Sequence, residues 1–262
     1  MLYYYALEDF MESYTSFARV YDLFMDNVPY EEWCEYLAAL FKEHGIEDGL
    51  VLDLGCGTGK LTRLMEKRGF DMIGVDNSYE MLDIAKEYSD ESILYLLQDM
   101  REFELYGTVR AVYSACDSVN YILEEEELRQ VFALVNNYLD PNGIFVFDLN
   151  SSFKYHQLLA ENTFAENREE GSFIWENYFD EDEGINEYDL TLYIKESDER
   201  FARFQEVHYQ RCYELSTIKR LLEEAGLEFV AAYDAYTKNP VAEDSEKITI
   251  IAREYKKQAQ AV

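Results

Sequence analysis

The chain has 262 residues and carries 54 Asp+Glu against 23 Lys+Arg, a formal net charge of −31. Nucleic-acid and membrane-surface binders draw affinity from clustered Lys and Arg, so this balance disfavours both kinds of partner. With 48% hydrophobic and 16% aromatic residues the chain has ample material for a core, which sets intrinsic disorder aside. Cys34, Cys56, Cys116 and Cys212 lie far apart with no C-x-x-C pair, and His44, His156 and His208 lack ligand spacing. Neither a disulfide framework nor a metal site is expected. The opening MLYYYALEDF lacks the basic stretch of a secretory signal, and no apolar run approaches the ~18 residues of a membrane span, so a cytoplasmic location is expected.

In chain order, Tyr14, Phe17, Tyr21 and Phe24 recur at helical spacing, as do Trp33, Leu37, Leu40, Phe41 and His44 after Pro29. Two N-terminal helices are expected. Short apolar runs then alternate with helical patterns. Leu50–Leu54, Phe70–Val75, Ile93–Leu97, Val109–Ala115 and Ile144–Leu149 read as strands. Helices fall between them through Leu61, Leu64 and Met65, through Met81, Ala85 and Tyr88, and through Leu128, Val131, Phe132 and Val135. A turn is expected at Asp140-Pro141-Asn142-Gly143. This is the rhythm of an α/β, doubly wound, mostly parallel sheet.

The rhythm breaks after Asn150. From Phe173 to about Tyr213 aromatic and β-branched residues alternate with polar ones, which predicts two or three half-exposed antiparallel strands. A helix over Thr217–Ala225 and strands at Phe229–Tyr233 and Ile248–Ala252 close the chain. Only three Pro occur and no Ser/Gly-rich linker interrupts the sequence, so a second unit has to be an insertion. Residues 1–150 with 215–256 are expected to form the main domain, and 165–214 a small β lid at the carboxyl edge of its sheet, where ligands bind in such folds.

The run Val51-Leu52-Asp53-Leu54-Gly55-Cys56-Gly57-Thr58-Gly59 passes from a strand into a glycine loop and a helix. Glycines there let backbone approach a ligand closely. Asp76 ends the next strand, twenty-one residues beyond Gly55, where a carboxylate accepts hydrogen bonds from ribose hydroxyls. A dinucleotide site reads G-x-G-x-x-G, whereas the third glycine here comes one position early. Asp53, two residues before the loop, would repel a pyrophosphate and attract the ammonium and sulfonium of S-adenosylmethionine. A nicotinamide-dependent oxidoreductase is therefore a distant alternative.

These residues resemble the first motif of the class I S-adenosylmethionine-dependent methyltransferases, and Gly74-Val75-Asp76-Asn77-Ser78-Tyr79-Glu80-Met81 resembles the second. The resemblance implies a seven-stranded Rossmann-like sheet with an antiparallel final strand, supplied by Ile248–Ala252, and S-adenosylmethionine as cofactor. It puts Gly55, Cys56, Gly57 and Gly59 against the donor, Asp76 and Asn77 at the ribose, and Met81 near the adenine. Gln98, Asp99 and Met100 follow, with the Asp side chain on the adenine amino group and the next backbone N–H facing the ring. Cys116-Asp117-Ser118-Val119-Asn120-Tyr121 resembles the segment facing the methyl donor. A narrower likeness, through Phe17–Phe24, Asp99–Phe103 and the inserted strands, is to amino-sugar N,N-dimethyltransferases, in which an N-terminal helix closes over the cofactor and the matching Tyr, here Tyr21, reaches it. Membership of a buried helix face explains Tyr21 equally well.

His208 either serves as a base or orients substrate, or is a polar residue on a solvent face. Asp117 is a further acidic group that could assist an amine acceptor, and Asn120 shares its segment. Cys56 reads first as the small residue of the loop. The leading expectation is methyl transfer to a small molecule, with an amine preferred because the surface is acidic. The alternatives are a methyltransferase acting on tRNA or protein and a non-catalytic S-adenosylmethionine-binding protein.

Overall fold

The computed structural model describes residues 14–197 and 199–257; the opening segment read above for targeting signals lies outside the described residues. Two helices lead, α1 (Ala18–Phe24) and α2 (Tyr30–Glu43). The first is shorter than its aromatic spacing predicts. Tyr14 stands ahead of it at φ 67°, because the backbone N–H groups of Tyr14, Ser16 and Phe17 go to the carboxylate of Glu206.

The alternating elements follow: β1 (Gly49–Leu54), α3 (Lys60–Glu66), β2 (Phe70–Asp76), α4 (Tyr79–Glu87), β3 (Leu94–Leu97) and β4 (Val109–Ser114). A 3₁₀ turn at Ser118–Tyr121 leads to α5 (Glu125–Tyr138) and β5 (Leu139–Asn150). After a π-type turn at Lys154–Leu159 come β6 (Thr163–Asn167), β7 (Gly171–Asp180), β8 (Ile185–Ser197) and β9 (Arg200–Arg211). The chain closes with α6 (Leu215–Glu224), β10 (Leu227–Asp234) and β11 (Lys247–Glu254).

The main sheet has the order β10-β11-β5-β4-β1-β2-β3. Strands β1 to β5 pair in parallel, and β11 runs antiparallel to both β5 and β10. The seven-stranded, doubly wound sheet is as expected. Its central strands are buried on both faces, which is why Ile144–Phe147 reads as an unbroken apolar run and Val51–Leu54 is interrupted only by Asp53. Leu37, Leu40 and Phe41 of α2, with Leu61, Met65 and Leu82 of α3 and α4, cover one face. Leu128, Val131 and Phe132 of α5, with Ile218, Leu221 and Leu222 of α6, cover the other. On α5 the buried positions recur every three or four residues, and Glu125–Glu127 open the helix where its dipole is positive.

The turn expected at Asp140–Gly143 lies inside β5 as an irregularity: the register passes from Val109↔Leu139 to Ala111↔Ile144, with Asn142 at φ 64°. The inserted antiparallel sheet, β6-β7-β8-β9, has four strands, one more than the upper expectation. The extra strand, β6, is exposed along almost its whole length, so no period-two burial pattern marks it in the sequence. Helix α1 packs on this small sheet, with Val20 and Phe24 against Leu190 and Leu192 of β8.

Strand β1 lies between β2 and β4, and the chain changes direction across it, winding out to β3 and then returning to β4. That switch point opens a crevice at the carboxyl ends. Gly59 sets the start of α3 just inside it, at φ 69°, where an added Cβ would collide with the Tyr95 hydroxyl and approach Ala85 Cβ at 3.1 Å. Gly59→Ala is expected to cost about 2–4 kcal/mol of unfolding free energy from strain and overpacking, and Tyr95→Phe in the same chain should restore part of it, as read by urea denaturation.

Candidate active site

The loop after β1 is held by the end of β2. Gly55 and Cys56 both donate their N–H to Val75 O, at 2.8 and 3.0 Å. Gly57 N–H donates to Asp76 Oδ2 at 2.8 Å, while Asp76 Oδ1 accepts from Ser78 N–H at 2.9 Å. Gly55 and Gly57 sit at φ 83° and 54°, and a Cβ on Gly55 would lie 2.8 Å from Ser118 Oγ. The turn therefore needs glycine. Burial raises the Asp76 carboxyl above its ordinary range, against the lowering effect of these N–H donors.

A cleft of about 420 Å³ opens over this loop. It brings together Tyr21, Asp53, Gly55, Cys56, Gly57, Asp76, Asn77, Met81, Gln98, Asp99, Met100 and Cys116, twelve of the thirteen residues expected against the donor. Gly59 is the exception, since it turns toward Tyr95 and Ala85 instead. Asp53 is buried, and Thr62 and Tyr113 both donate to its Oδ2, at 2.6 and 2.8 Å. Burial pushes its carboxyl up to about 7, Thr62 and Tyr113 pull it down, and the charge of Asp76 raises it further. Two carboxylates thus share one wall, and a cationic occupant would relieve both, whereas a pyrophosphate would aggravate both. The ammonium and ribose hydroxyls of S-adenosylmethionine fit these two acceptors.

Asp99, expected at the adenine amino group, is held by a neighbour two residues on. Arg101 donates from its backbone N–H to Oδ1 at 2.8 Å and from its guanidinium to Oδ2 at 2.6 Å. Burial raises the Asp99 carboxyl, but the Arg101 bonds outweigh it and hold the group below its ordinary value. Burial pushes Cys116 up to about 12 and Cys56 well above its usual range, which disfavours the thiolate at both. Thr58 Oγ1 donates to Asp22 Oδ1 at 2.9 Å, which ties α1 to the glycine loop and roofs the cleft beside Tyr21.

The three residues expected to carry the chemistry lie behind the cleft wall. Asn120 is fully buried; its Nδ2 donates to Arg211 O at 2.8 Å and its Oδ1 accepts from Asn150 N–H at 3.0 Å. Both ends of the amide are spent on backbone. Asp117 forms an ion pair with Lys247, and its Oδ2 accepts from Gln210 Nε2 at 2.7 Å. Burial acts to raise its carboxyl, yet Lys247 and Lys154 hold it below the usual value, so it stays an engaged anion rather than a free base. His208 is 3% exposed, which corrects the solvent-face expectation. On β9 the buried positions are the polar ones, Glu206, His208 and Gln210, while Val207 and Tyr209 line the cleft.

Tyr121, in the segment read as facing the donor, and Tyr209, on an inserted strand, line the cleft, and sequence reasoning missed Tyr14 and Tyr30 as cleft residues. Nothing in their spacing separates a cleft tyrosine from a packing one; only the fold brings them to one wall. Two outcomes are expected. Asn120→Ala should cost about 2–4 kcal/mol by stranding two buried backbone groups, measured by urea unfolding. Between pH 5 and 7, lowering the pH protonates Asp53 and removes its attraction for an ammonium, so calorimetric Kd for S-adenosylhomocysteine should rise by up to about tenfold per pH unit, and Asp53→Asn should flatten that slope.

Comparison with known proteins agrees with this geometry. A family model described as a methyltransferase domain matches residues 51–143, from β1 to the irregularity of β5. A protein of Geobacillus sp. (strain WCH70) provisionally named a methyltransferase is 34% identical over 92% of this chain and 99% of its own. The dTDP-3-amino-3,4,6-trideoxy-alpha-D-glucopyranose N,N-dimethyltransferase of Streptomyces venezuelae is 32% identical over 50% of this chain and 56% of its own. Among solved structures, an S-adenosylmethionine-dependent methyltransferase from Clostridium acetobutylicum ATCC 824 superposes with TM-score 0.83 and 29% identity, covering 92% of this chain and 99% of that one. A glycine loop built around Asp76, a cleft suited to a cationic nucleoside and full-length likeness to such proteins lead to one conclusion: the chain belongs to the S-adenosylmethionine-dependent methyltransferases.

Proposed function

We propose that the protein methylates a small-molecule amine. The observation that carries this reading is the set of tyrosines lining the cleft: Tyr14, Tyr21, Tyr30, Tyr121 and Tyr209, drawn from the N-terminal segment, α1, α2, the turn after β4 and the inserted sheet. Aromatic faces of this kind suit a cationic or neutral amine. The inserted sheet acts as a lid over the acceptor, and the net charge of −31 favours approach of a cation.

The Streptomyces relative's printed name carries a dTDP-linked amino sugar. In this chain, among the described residues, the cations lining the cleft are Lys60 and Arg101, and Arg101 is already paired with Asp99 and Glu127. Lys60 lies over the Tyr30 ring at 4.7 Å. A diphosphate linkage finds no prepared cationic clamp, so the acceptor is an amine without one. The four free thiols fit a reducing, cytoplasmic setting, and no described helix is long and apolar enough to cross a membrane.

When bound, S-adenosylmethionine supplies a methyl group on a sulfonium, an electrophile that needs no further activation. The residues then have to align donor and acceptor in line and keep water out. Asp76 would hold the ribose, Asp53 the ammonium, and Met81 and Met100 the apolar faces of the base. Tyr21 and Tyr14 close the roof, and the lid contributes Val207 and Tyr209 to the wall.

The test is a methylation screen read by mass spectrometry, using amino sugars with and without a nucleoside diphosphate, polyamines, bulk tRNA and basic proteins. Transfer to an amine lacking a diphosphate is expected. Transfer confined to tRNA, to protein or to dTDP-linked sugars overturns the reading. Asp76→Ala should weaken S-adenosylhomocysteine binding about 10- to 100-fold in the same preparations, the size of a hydrogen bond to a charged acceptor.

A further inference from the structure

A chain of polar contacts leaves the cleft through the lid. The hydroxyls of Tyr14 and Tyr121, both on the cleft wall, lie 2.6 Å apart. The Tyr121 hydroxyl is 3.4 Å from His208 Nδ1, and His208 Nε2 is 3.1 Å from Glu206 Oε2. His208 and Glu206 are 3% and 1% exposed. Tyr14 packs edge-on to the imidazole, with centroids 4.9 Å apart. A buried carboxylate behind an imidazole, with a hydroxyl in front of it on a cavity wall, is the arrangement of a base oriented by an acid.

The carboxylate has a second set of partners. Glu206 Oε2 also accepts the N–H of Tyr14 at 2.9 Å, and Oε1 accepts those of Ser16 and Phe17 at 2.6 and 2.9 Å. Burial acts to raise the Glu206 carboxyl, but His208 and the N–H groups of Phe17 and Ser16 prevail and hold it below its ordinary value. A carboxylate so held is an acceptor only. Nε2 of the neutral imidazole is then the protonated nitrogen, and Nδ1 presents a lone pair toward Tyr121.

Resting on the amine reading above, we propose that Tyr121, His208 and Glu206 form the proton exit for the acceptor amine, assembled when segment 14–17 docks on Glu206. The balance is simple. The acceptor nitrogen's lone pair forms the new N–CH₃ bond while the carbon–sulfur bond breaks toward sulfur. The methylated ammonium passes one N–H proton to Tyr121 Oη, directly or through Tyr14 Oη. Tyr121 gives its own proton to His208 Nδ1, and the imidazolium is stabilised by the Glu206 carboxylate. The tyrosine ends neutral, as it began. His208 does not reach the cleft and acts only through Tyr121; Glu206 is a positioning residue that fixes the ring and pins the roof.

The test uses the full chain saturated with S-adenosylhomocysteine and ¹⁵N-labelled at histidine, with His208 assigned from its loss in His208→Asn. At pH 8 Nδ1 of His208 is expected to be unprotonated and Nε2 protonated; a protonated Nδ1 overturns the relay, whatever the acceptor is. With an amine accepted in the screen, Tyr121→Phe is expected to lower kcat about 100-fold, the low end of general acid–base contributions, while KM for S-adenosylmethionine and Kd for S-adenosylhomocysteine change less than about twofold. An unchanged kcat overturns the proposal, as does a kcat loss accompanied by an equal loss of S-adenosylhomocysteine affinity, which marks a merely structural role. If no amine is methylated, the amine reading fails, and the protonation state of Nδ1 still decides whether the relay exists.

Discussion

The carboxylate of Asp76 is the constraint on which the rest of the cleft depends. It accepts the Gly57 and Ser78 N–H groups at once, so the glycine loop and the start of α4 are oriented around a single side chain at the end of β2. Val75 O, one residue earlier, holds the N–H groups of Gly55 and Cys56. Three successive backbone donors of the loop, together with Ser78 N–H, are thereby anchored to the tip of one parallel strand. These bonds fix the path of the loop, which cuts the ordering cost of binding. Strand β2 can supply that anchor because it lies directly beside β1 at the point where the sheet's winding reverses.

Much of this was written locally in the sequence. The passage from Val51 to Gly59 encodes strand, turn and helix start within nine residues, and Asp76 follows at the end of the next strand, so fold and donor cleft are both legible from short-range spacing. The departures come from partners that spacing does not specify. Asp117 meets Lys247 from the far end of the chain, and Asp99 meets Arg101, two residues on, through side-chain geometry. Asn120 reads as a member of a segment facing the donor, but its amide is turned outward to two strands.

Strand β9 shows the same limit in another form. The period-two alternation that places Glu206, His208 and Gln210 on one face is visible in the sequence. Which face is buried is not, because the answer depends on a segment nearly two hundred residues away docking its N–H groups on Glu206. Buried polar groups are costly unless satisfied, and here they are: Glu206 by backbone and His208, Gln210 by Asp117, Tyr155 and Asn150. The small sheet's polar face is thus an interior that the sequence presents as a surface.

The amide of Asn120 touches the inserted segment at its two junctions with the main domain, Asn150 where the chain leaves the central sheet and Arg211 where it returns. The intervening sixty residues are tethered to the catalytic body at a common gatepost. A segment anchored at both ends in this way closes on the main domain without straining the register of the parallel sheet. One buried asparagine marks the seam between the parallel sheet and the inserted antiparallel one.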